Sequence, residues 1–266
     1  MWGSYFPGIG ALVPSKRLRQ GSNETFDFFE KVLNIPSKFL LIRVNSEDKD
    51  LLGVVRERYG CDRVEVDSRN IDYYRHKYGM KGIRGRNFNI ALRKPDLSNE
   101  FSDVGNILII ESEKIQLGVE IALGATTILK ELFSLNHVQD CIPIMGIKTE
   151  DEALYRKTED SIITCTVLFG EGLKPSNQHN RNRILKRYTQ ALSYFRAKLH
   201  LSLEELQTII TGFIKTQMPE TQNITAKIII NSIKDYEVSL TNNECLAVTD
   251  TKIKGALNQL SNFNLK

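Results

Sequence analysis

Two groups of residues in this sequence have types and spacing that could act on phosphate. The first is the segment from Gly79 to Arg86, in which three glycines alternate with basic residues. Backbone amides and two arginines there could hold a phosphate group. The segment lacks the strand, loop and helix order of a nucleotide site, so a basic surface loop is the alternative interpretation.

Basic and aromatic residues are also mixed more widely, over residues 69–94. Basic side chains bind phosphates, and tyrosines can stack on bases. The alternative is that the tyrosines pack on a core while the charges stay in solvent. The residues of this stretch that we predict to contact RNA or a membrane are Lys81, Arg84, Arg86, Arg93 and Lys94.

The second group lies on a predicted amphipathic helix over residues 181–200. Apolar residues recur there at spacings of three and four, at Ile184, Tyr188, Leu192, Phe195 and Leu199. Basic residues lie largely off that stripe and could face solvent, acidic lipid or phosphate. From this helix we predict RNA or membrane contacts by Arg181, Arg183, Lys186 and Arg187.

A metal-dependent nuclease is a further hypothesis. Asp96 is followed by Glu111, Glu113 and Lys114, a set similar to nuclease motifs in which carboxylates hold a divalent metal beside a lysine. Such motifs require an acid two residues before the lysine, and Ser112 occupies that position. The match is therefore incomplete.

The remaining ligand-type residues show no recognised arrangement. The histidines and cysteines are widely spread and include no metal-ligand spacing and no nucleophile–base set. They are His76, His137, His179 and His200, and Cys61, Cys141, Cys165 and Cys245. We predict no metal, no cofactor and no enzymatic activity, with reduced cysteines in an intracellular compartment.

Composition is that of a globular protein with one large domain or two small ones. The chain has 266 residues, of which 41% are hydrophobic and 26% are charged. A net charge of +4 permits anionic partners without establishing one. No apolar run approaches the roughly 20 residues that a membrane span needs, so any membrane contact is expected to be peripheral.

Local signals leave the fold class open between all-α and α+β. Residues 112–136 predict a buried helix, and residues 149–152 and 202–205 match capping boxes. Residues 39–44, 64–66, 107–110 and 162–169 are rich in β-branched residues and could be strands. Residues 170–177 are rich in helix breakers and predict a linker.

Three features occur in an order that resembles the matrix proteins of orthomyxoviruses, with a thogotovirus type closer than influenza. They are residues 120–123 within a helix of small residues, Thr158-Glu159 ahead of the apolar segment 162–169, and Gln178-His179 ahead of Arg181 and Arg183. This sequence departs from the family where residues 106–110 replace a basic cluster. The Cys/His zinc pattern proposed for the family is also incomplete here, because only Cys165 and His179 are present in the region.

The resemblance implies an all-α protein, with α+β as the alternative. Residues 1–170 would form an N-terminal domain of two helical bundles, residues 171–180 a linker and residues 181–266 a C-terminal helical domain. The expected function is that of a structural viral matrix protein, which lines the inner face of the envelope in the virion. It would self-associate into a layer and bridge acidic membrane to viral ribonucleoprotein and RNA during assembly and budding. In the host it would lie in the cytoplasm and nucleus and bind membrane peripherally. The alternative is a nucleic-acid-binding protein or a degenerate metal-dependent nuclease of α+β fold.

Overall fold

The computed structural model describes residues 4–67, 71–93, 100–113 and 115–241. These residues divide into two compact units. Residues 6–138 form the α/β unit, and residues 4–5 together with residues 139–241 form the helical unit.

A mixed β-sheet is the centre of the α/β unit. Its described strands are β1 (Gly8–Val13), β2 (Leu40–Asn45), β3 (Val64–Asp67), β4 (Arg75–Lys77), β5 (Ile83–Arg93), β6 (Phe101–Ser112) and β7 (Ile115–Gly124). They are arranged in the order β1-β7-β6-β5-β2-β3, and β4 pairs with β5. Only the β2–β3 pair is parallel among these strands, and α2 (Lys49–Tyr59) connects the two.

The core of the α/β unit lies between one face of this sheet and its helices. Alternate residues of β2, among them Ile42 and Val44, are fully buried because successive side chains of a strand point to opposite faces. The helices are α1 (Leu18–Asp27), which continues into a π-helical turn (Phe28–Val32), α2, and α3 (Ala125–Leu132). They contribute Phe26, Leu51 and Ile128 to the same core.

Four long helices form the helical unit: α4 (Glu152–Gly170), α5 (Asn180–Lys198), α6 (Leu203–Gln217) and α7 (Ile224–Thr241). Each helix buries an apolar stripe, represented by Ile162, Leu192, Ile210 and Ile229. The stripes meet in one core, since apolar burial provides most of the stability of such helices.

The N-terminal end of the described chain is fixed to this helical unit. The Ser4 amide donates to the Asp160 carboxylate at 2.7 Å and the Ser4 hydroxyl donates at 2.6 Å. The Tyr188 hydroxyl donates to the same carboxylate at 3.1 Å. Burial raises the pKa of Asp160, although the hydrogen bonds from Ser4 and Tyr188 oppose that rise.

The predicted all-α fold class is wrong, and the α+β alternative is confirmed by the sheet. The main local error is the helix predicted over residues 112–136. Residues 115–124 form β7, where Val119 and Leu123 face the core, and helix begins only at Ala125. Pairing with β6 and β1 on both sides satisfies the backbone of β7, which outweighs a helix-like spacing of apolar residues.

Other local predictions have mixed outcomes. Residues 39–44, 64–66 and 107–110 lie in or beside β2, β3 and β6, whereas residues 162–169 belong to α4. The capping box at Ser202 and Glu205 is confirmed. The box at residues 149–152 is wrong, because Asp151 caps α4 by accepting a hydrogen bond from the Leu154 amide at 3.0 Å. Within the described part of the chain, we find no helix whose length and apolar character would suit a membrane span.

Candidate nucleic-acid interface

One of the two strongly basic acid-free segments of the chain lies in the helical unit. Residues 172–203 contain no aspartate or glutamate and hold seven basic residues, which are Lys174, Arg181, Arg183, Lys186, Arg187, Arg196 and Lys198. The chain has 36 basic and 32 acidic residues in all, so 29 basic residues remain outside the segment against all 32 acidic ones. Residues 73–95 also contain no acid and hold seven basic residues, so either segment alone offsets the acidic excess of the rest. The two differ in structure, because Arg75 and Arg86 of residues 73–95 are paired with carboxylates.

Helix α5 presents most of these residues, because its other side is buried. Leu185, Leu192 and Phe195 are buried where α5 packs with α4 and α7. Arg181 and Arg183 are exposed, and Lys186 and Arg187 are partly exposed. The helix predicted over residues 181–200 is thereby confirmed, as α5 covers Asn180–Lys198.

The basic residues at the start of α5 contact neutral side chains more often than carboxylates. Arg183 donates to the side-chain oxygen of Asn180, and Lys186 Nζ donates to Asn177 Oδ1 at 3.2 Å. Arg181 pairs with Glu171 at the surface. Within the described chain, no carboxylate forms an ion pair with Arg183, Lys186 or Arg187. Their charge is available to an external anion.

The start of α5 reinforces this positive potential. His179 precedes the helix in an extended conformation, and no acidic residue lies in its first turn. The first amides of a helix lack intrahelical partners and together act as roughly half a positive charge. Arg181 and Arg183 lie at this end, so side chains and backbone favour an anion at the same place.

Two further residues of the segment were not among the predicted contacts. Lys174 is exposed in the loop before α5, and Lys198 Nζ lies 5.5 Å from the ring centroid of Tyr194. A half-buried tyrosine with a cation beside it is a surface on which a base could stack. The sequence signal that identifies them is the absence of acids over residues 172–203, and not any motif.

Arg196 has a structural role in contrast to the other basic residues of α5. Its guanidinium donates to both carboxylate oxygens of Glu237 on α7, at 3.0 and 2.5 Å. It also donates to the Leu201 carbonyl at 3.0 Å. Arg196 therefore joins α5 to α7 and to the following loop.

The basic residues predicted in the α/β unit are distributed differently. Lys81 lies exposed in the turn between β4 and β5, and Arg84 on β5 has 62% of its side chain exposed. Arg93 ends β5, and Lys94 lies outside the described residues. The turn has Gly79 and Gly82 at positive φ, so these glycines serve a hairpin turn. A hairpin turn agrees with the interpretation of residues 79–86 as a basic surface loop, and not with that of a phosphate-binding loop.

Arg86 is held in a cluster of carboxylates. Its guanidinium lies 2.9 Å from Asp48 and 2.8 Å from both Asp50 and Glu111. Arg75 donates to the other Asp48 oxygen at 2.8 Å. These bonds raise the pKa of Arg86, and the bond from Arg86 lowers the pKa of Asp50. The guanidinium of Arg86 is occupied by these three carboxylates, so we exclude Arg86 from the candidate interface.

The tyrosines near this cluster are also engaged within the protein. Tyr74 is fully buried and donates to Asp67 at 2.6 Å. Tyr73 donates to Asp103, and Tyr78 donates to Glu120, both at 2.6 Å. Their hydroxyls hold strands and turns together. Tyr74 packs in the core, as the alternative interpretation predicts, whereas Tyr73 is 46% exposed.

The carboxylates of the nuclease hypothesis do not form a metal centre among the described residues. Glu111 is paired with Arg86 and lies 3.8 Å from Arg84, so two arginines already compensate its charge. Asp96 and Lys114 lie outside the described residues. In the ranges that the structure describes, no group of three or more histidine, cysteine or acidic side chains could hold a metal ion.

The sequence matches no protein-family model and no curated protein. The function is therefore inferred from the fold and from its charged surfaces.

Proposed function

We propose that this chain is a nucleic-acid-binding protein that contacts the phosphate backbone through α5 and the loop before it. The observation that carries the proposal is the acid-free segment 172–203, in which all the basic side chains except Lys174 lie on α5. This interface consists of Lys174, Arg181, Arg183, Lys186, Arg187 and Lys198.

The helix is suited to phosphate because its basic groups are held at regular spacing. Arg183 and Arg187 are four residues apart and Lys186 is three residues from Arg183, so all three lie close on one face. Neutralised phosphates release condensed counterions, which favours binding at low salt. Such contacts position the protein on the phosphate backbone but do not distinguish one base sequence from another.

Nucleic acid is favoured over a lipid surface because α5 has no free apolar stripe. A helix that lies in a membrane interface inserts its apolar side below the headgroups. In α5 that side is occupied by the core of the helical unit, and Ile184, with 43% exposure, is an isolated apolar residue among the basic ones. The surface is therefore polar and cationic.

The matrix function stays a prediction, as do location in the virion and binding of acidic membrane and ribonucleoprotein. It was expected together with an all-α architecture, and the α+β fold removes that support. The α+β alternative included a degenerate nuclease. We propose binding without catalysis, because the carboxylate that the nuclease hypothesis places on β6 is paired with arginines.

Fluorescence anisotropy with labelled single-stranded RNA and double-stranded DNA tests the proposal. We expect affinity to fall steeply with salt. Charge reversal of Arg183, Lys186 and Arg187 to Glu should abolish binding. Neutralising them to Gln should make the salt dependence shallower, by about one unit of slope for each phosphate that is no longer bound.

A matched control reverses three exposed lysines elsewhere in the helical unit, Lys215, Lys227 and Lys234. This control changes net charge equally, so it separates a local interface from general attraction. Equal losses in both variants, or no nucleic-acid binding by the native chain, would overturn the proposal. Flotation with acidic vesicles is measured in parallel, and binding to vesicles alone would also overturn it.

A further inference from the structure

An uncharged strand forms one edge of the sheet in the α/β unit. β1 pairs with β7 on one side, and no described strand lies on its other side. Its sequence is Gly-Ile-Gly-Ala-Leu-Val, in which Leu12 is 74% exposed and Ile9 is 47% exposed. Such an edge leaves backbone amides and carbonyls, together with apolar side chains, facing solvent.

β3 forms the opposite edge of the sheet and has features that normally prevent pairing with another strand. β1 lacks these features. β3 has only four residues, and Glu65 and Asp67 place charge on it. β1 has six residues without a charge, and the prolines lie just outside it, at Pro7 and Pro14. Edge strands usually carry charge, proline or a bulge, because an unprotected edge pairs with other strands.

β1 is also firmly seated on its neighbour. A side chain at Gly10 would place its Cβ 2.0 Å from the Ile121 carbonyl oxygen, so the two strands approach closely there. All six residues of β1 pair in continuous register with β7, from Gly8 with Gly124 to Val13 with Val119. β1 is therefore a fixed template with a regular outer edge.

We propose that β1 pairs antiparallel with β1 of a second copy of this chain, so that the two sheets become continuous. A two-fold axis normal to the sheet relates two such strands, and directly opposite residues then point to the same face. Gly8, Gly10 and Leu12 share the face that points away from the helices, because Ile9 and Val13 pair with core-facing residues of β7.

The sequence of β1 is complementary to itself in this arrangement. The two registers that pair five residues place Leu12 of one copy opposite Gly10 or Gly8 of the other. A large side chain thus meets a position without one, and no like charges face each other across the axis. A second copy fits this edge for that reason, whereas a charged or bulky strand gains no such match.

The apolar surface continues past the end of β1 along β7. Val13 pairs with Val119, so residues 115–118 of β7 extend beyond β1. Ile115 is 67% exposed and Leu117 is 51% exposed. An antiparallel partner would carry its own Phe6, which is 53% exposed, towards this end of the edge. Apolar burial there would add to the backbone hydrogen bonds.

Analytical ultracentrifugation of the full chain over a wide concentration range tests the proposal. We expect a dimer at high concentration that Leu12→Lys converts to a monomer, because in either register the substitution places a charge from each copy on the pairing edge in place of an apolar side chain. Val32→Lys is the matched control, since Val32 is 70% exposed in the same unit and away from β1. Circular dichroism establishes that both variants are folded.

Hydrogen exchange of the native chain gives a second readout that does not depend on a variant. Amides of residues 8–13 should exchange more slowly at dimer-forming concentrations than at dilution, while those of β3 should not change. A native chain that stays monomeric, a dimer that Leu12→Lys leaves intact, or β1 exchange independent of concentration would each overturn the proposal.

Discussion

Arg86 lies 2.9 Å from Asp48, an aspartate of which only 3% of the side chain is exposed, at the N-terminal end of α2. The same guanidinium also binds Asp50 and Glu111. One arginine thus joins the start of α2 to β5 and β6, and its role is to hold the α/β unit together.

We therefore expect Arg86→Met to destabilise the α/β unit by about 2 kcal/mol, because it removes charged hydrogen bonds from three carboxylates. Asp48 then keeps its bond to Arg75, and Glu111 keeps the more distant Arg84. Arg84→Met, at a side chain with 62% exposure, should change the free energy of unfolding by less than about 1 kcal/mol. Both changes in unfolding free energy are measured by a denaturant titration in which hydrogen exchange of residues 6–138 is the readout. That readout reports on the α/β unit alone, since the two units need not unfold together. Similar losses in the two variants would contradict the assigned role of Arg86.

The pair between Arg86 and Asp50 also predicts a pH dependence. The bond from Arg86 lowers the folded-state pKa of Asp50 below its usual value of 3.8. A lowered carboxyl pKa contributes stability that is present above the unfolded-state pKa and is lost as pH falls through the folded-state pKa. The difference in unfolding free energy between the native chain and Asp50→Asn should thus persist at neutral pH and shrink progressively as pH falls below about 4. A difference that grows on acidification would exclude this pairing.

Arg196 and Arg187 lie on the same helix and should respond differently to substitution. Arg196→Ala should lower the stability of the helical unit by about 2 kcal/mol, because it leaves Glu237 without its charged hydrogen bonds. Arg187→Ala should leave stability nearly unchanged and weaken nucleic-acid binding with a shallower salt dependence. Thermal unfolding and anisotropy, measured on both variants, separate the two roles. If both variants are fully folded and lose nucleic-acid binding equally, Arg196 belongs to the interface.

The cysteines should differ in reactivity with thiol reagents. Cys165 is fully buried in α4, and burial raises its pKa to about 12, whereas Cys61 is exposed. The thiolate is the reactive form, so iodoacetamide should modify Cys61 in the folded protein and Cys165 only after denaturation. Peptide mass spectrometry after timed labelling checks this order. Early labelling of Cys165 would show that α4 opens readily in the native protein.

The parts of the structure that the sequence predicts well are those fixed by neighbouring residues. The α5 stripe repeats every three or four residues, and Ser202 and Glu205 form their cap within one turn. Both signals depend on local geometry, so they can be recognised without the rest of the fold.

The parts that the sequence predicts poorly depend on distant pairing. β7 contains helix-compatible spacing, but β1 and β6 satisfy its backbone from about a hundred and about ten positions away, as the Ile9–Leu123 and Ile110–Gly118 pairs show. Arg86 looks like a free basic residue in the sequence, because Asp48 lies 38 positions away and Glu111 lies 25 positions away. Its neutralisation becomes visible only when the strands are paired.

The hydrogen bonds of Ser4 with Asp160 have a consequence for how the chain is assembled. The helical unit includes Ser4 and Tyr5 and continues from Gln139, so the α/β unit is an insertion within it. During synthesis, Ser4 emerges long before Asp160 and Tyr188, from which it is separated by 156 and 184 positions. The inserted unit can complete its sheet first, whereas the helical unit must wait for both of its segments. A fragment that begins at residue 139 would therefore lack one of its own hydrogen-bonding groups, and Ser4 reaches its native contacts only after the residues that bind it have been made.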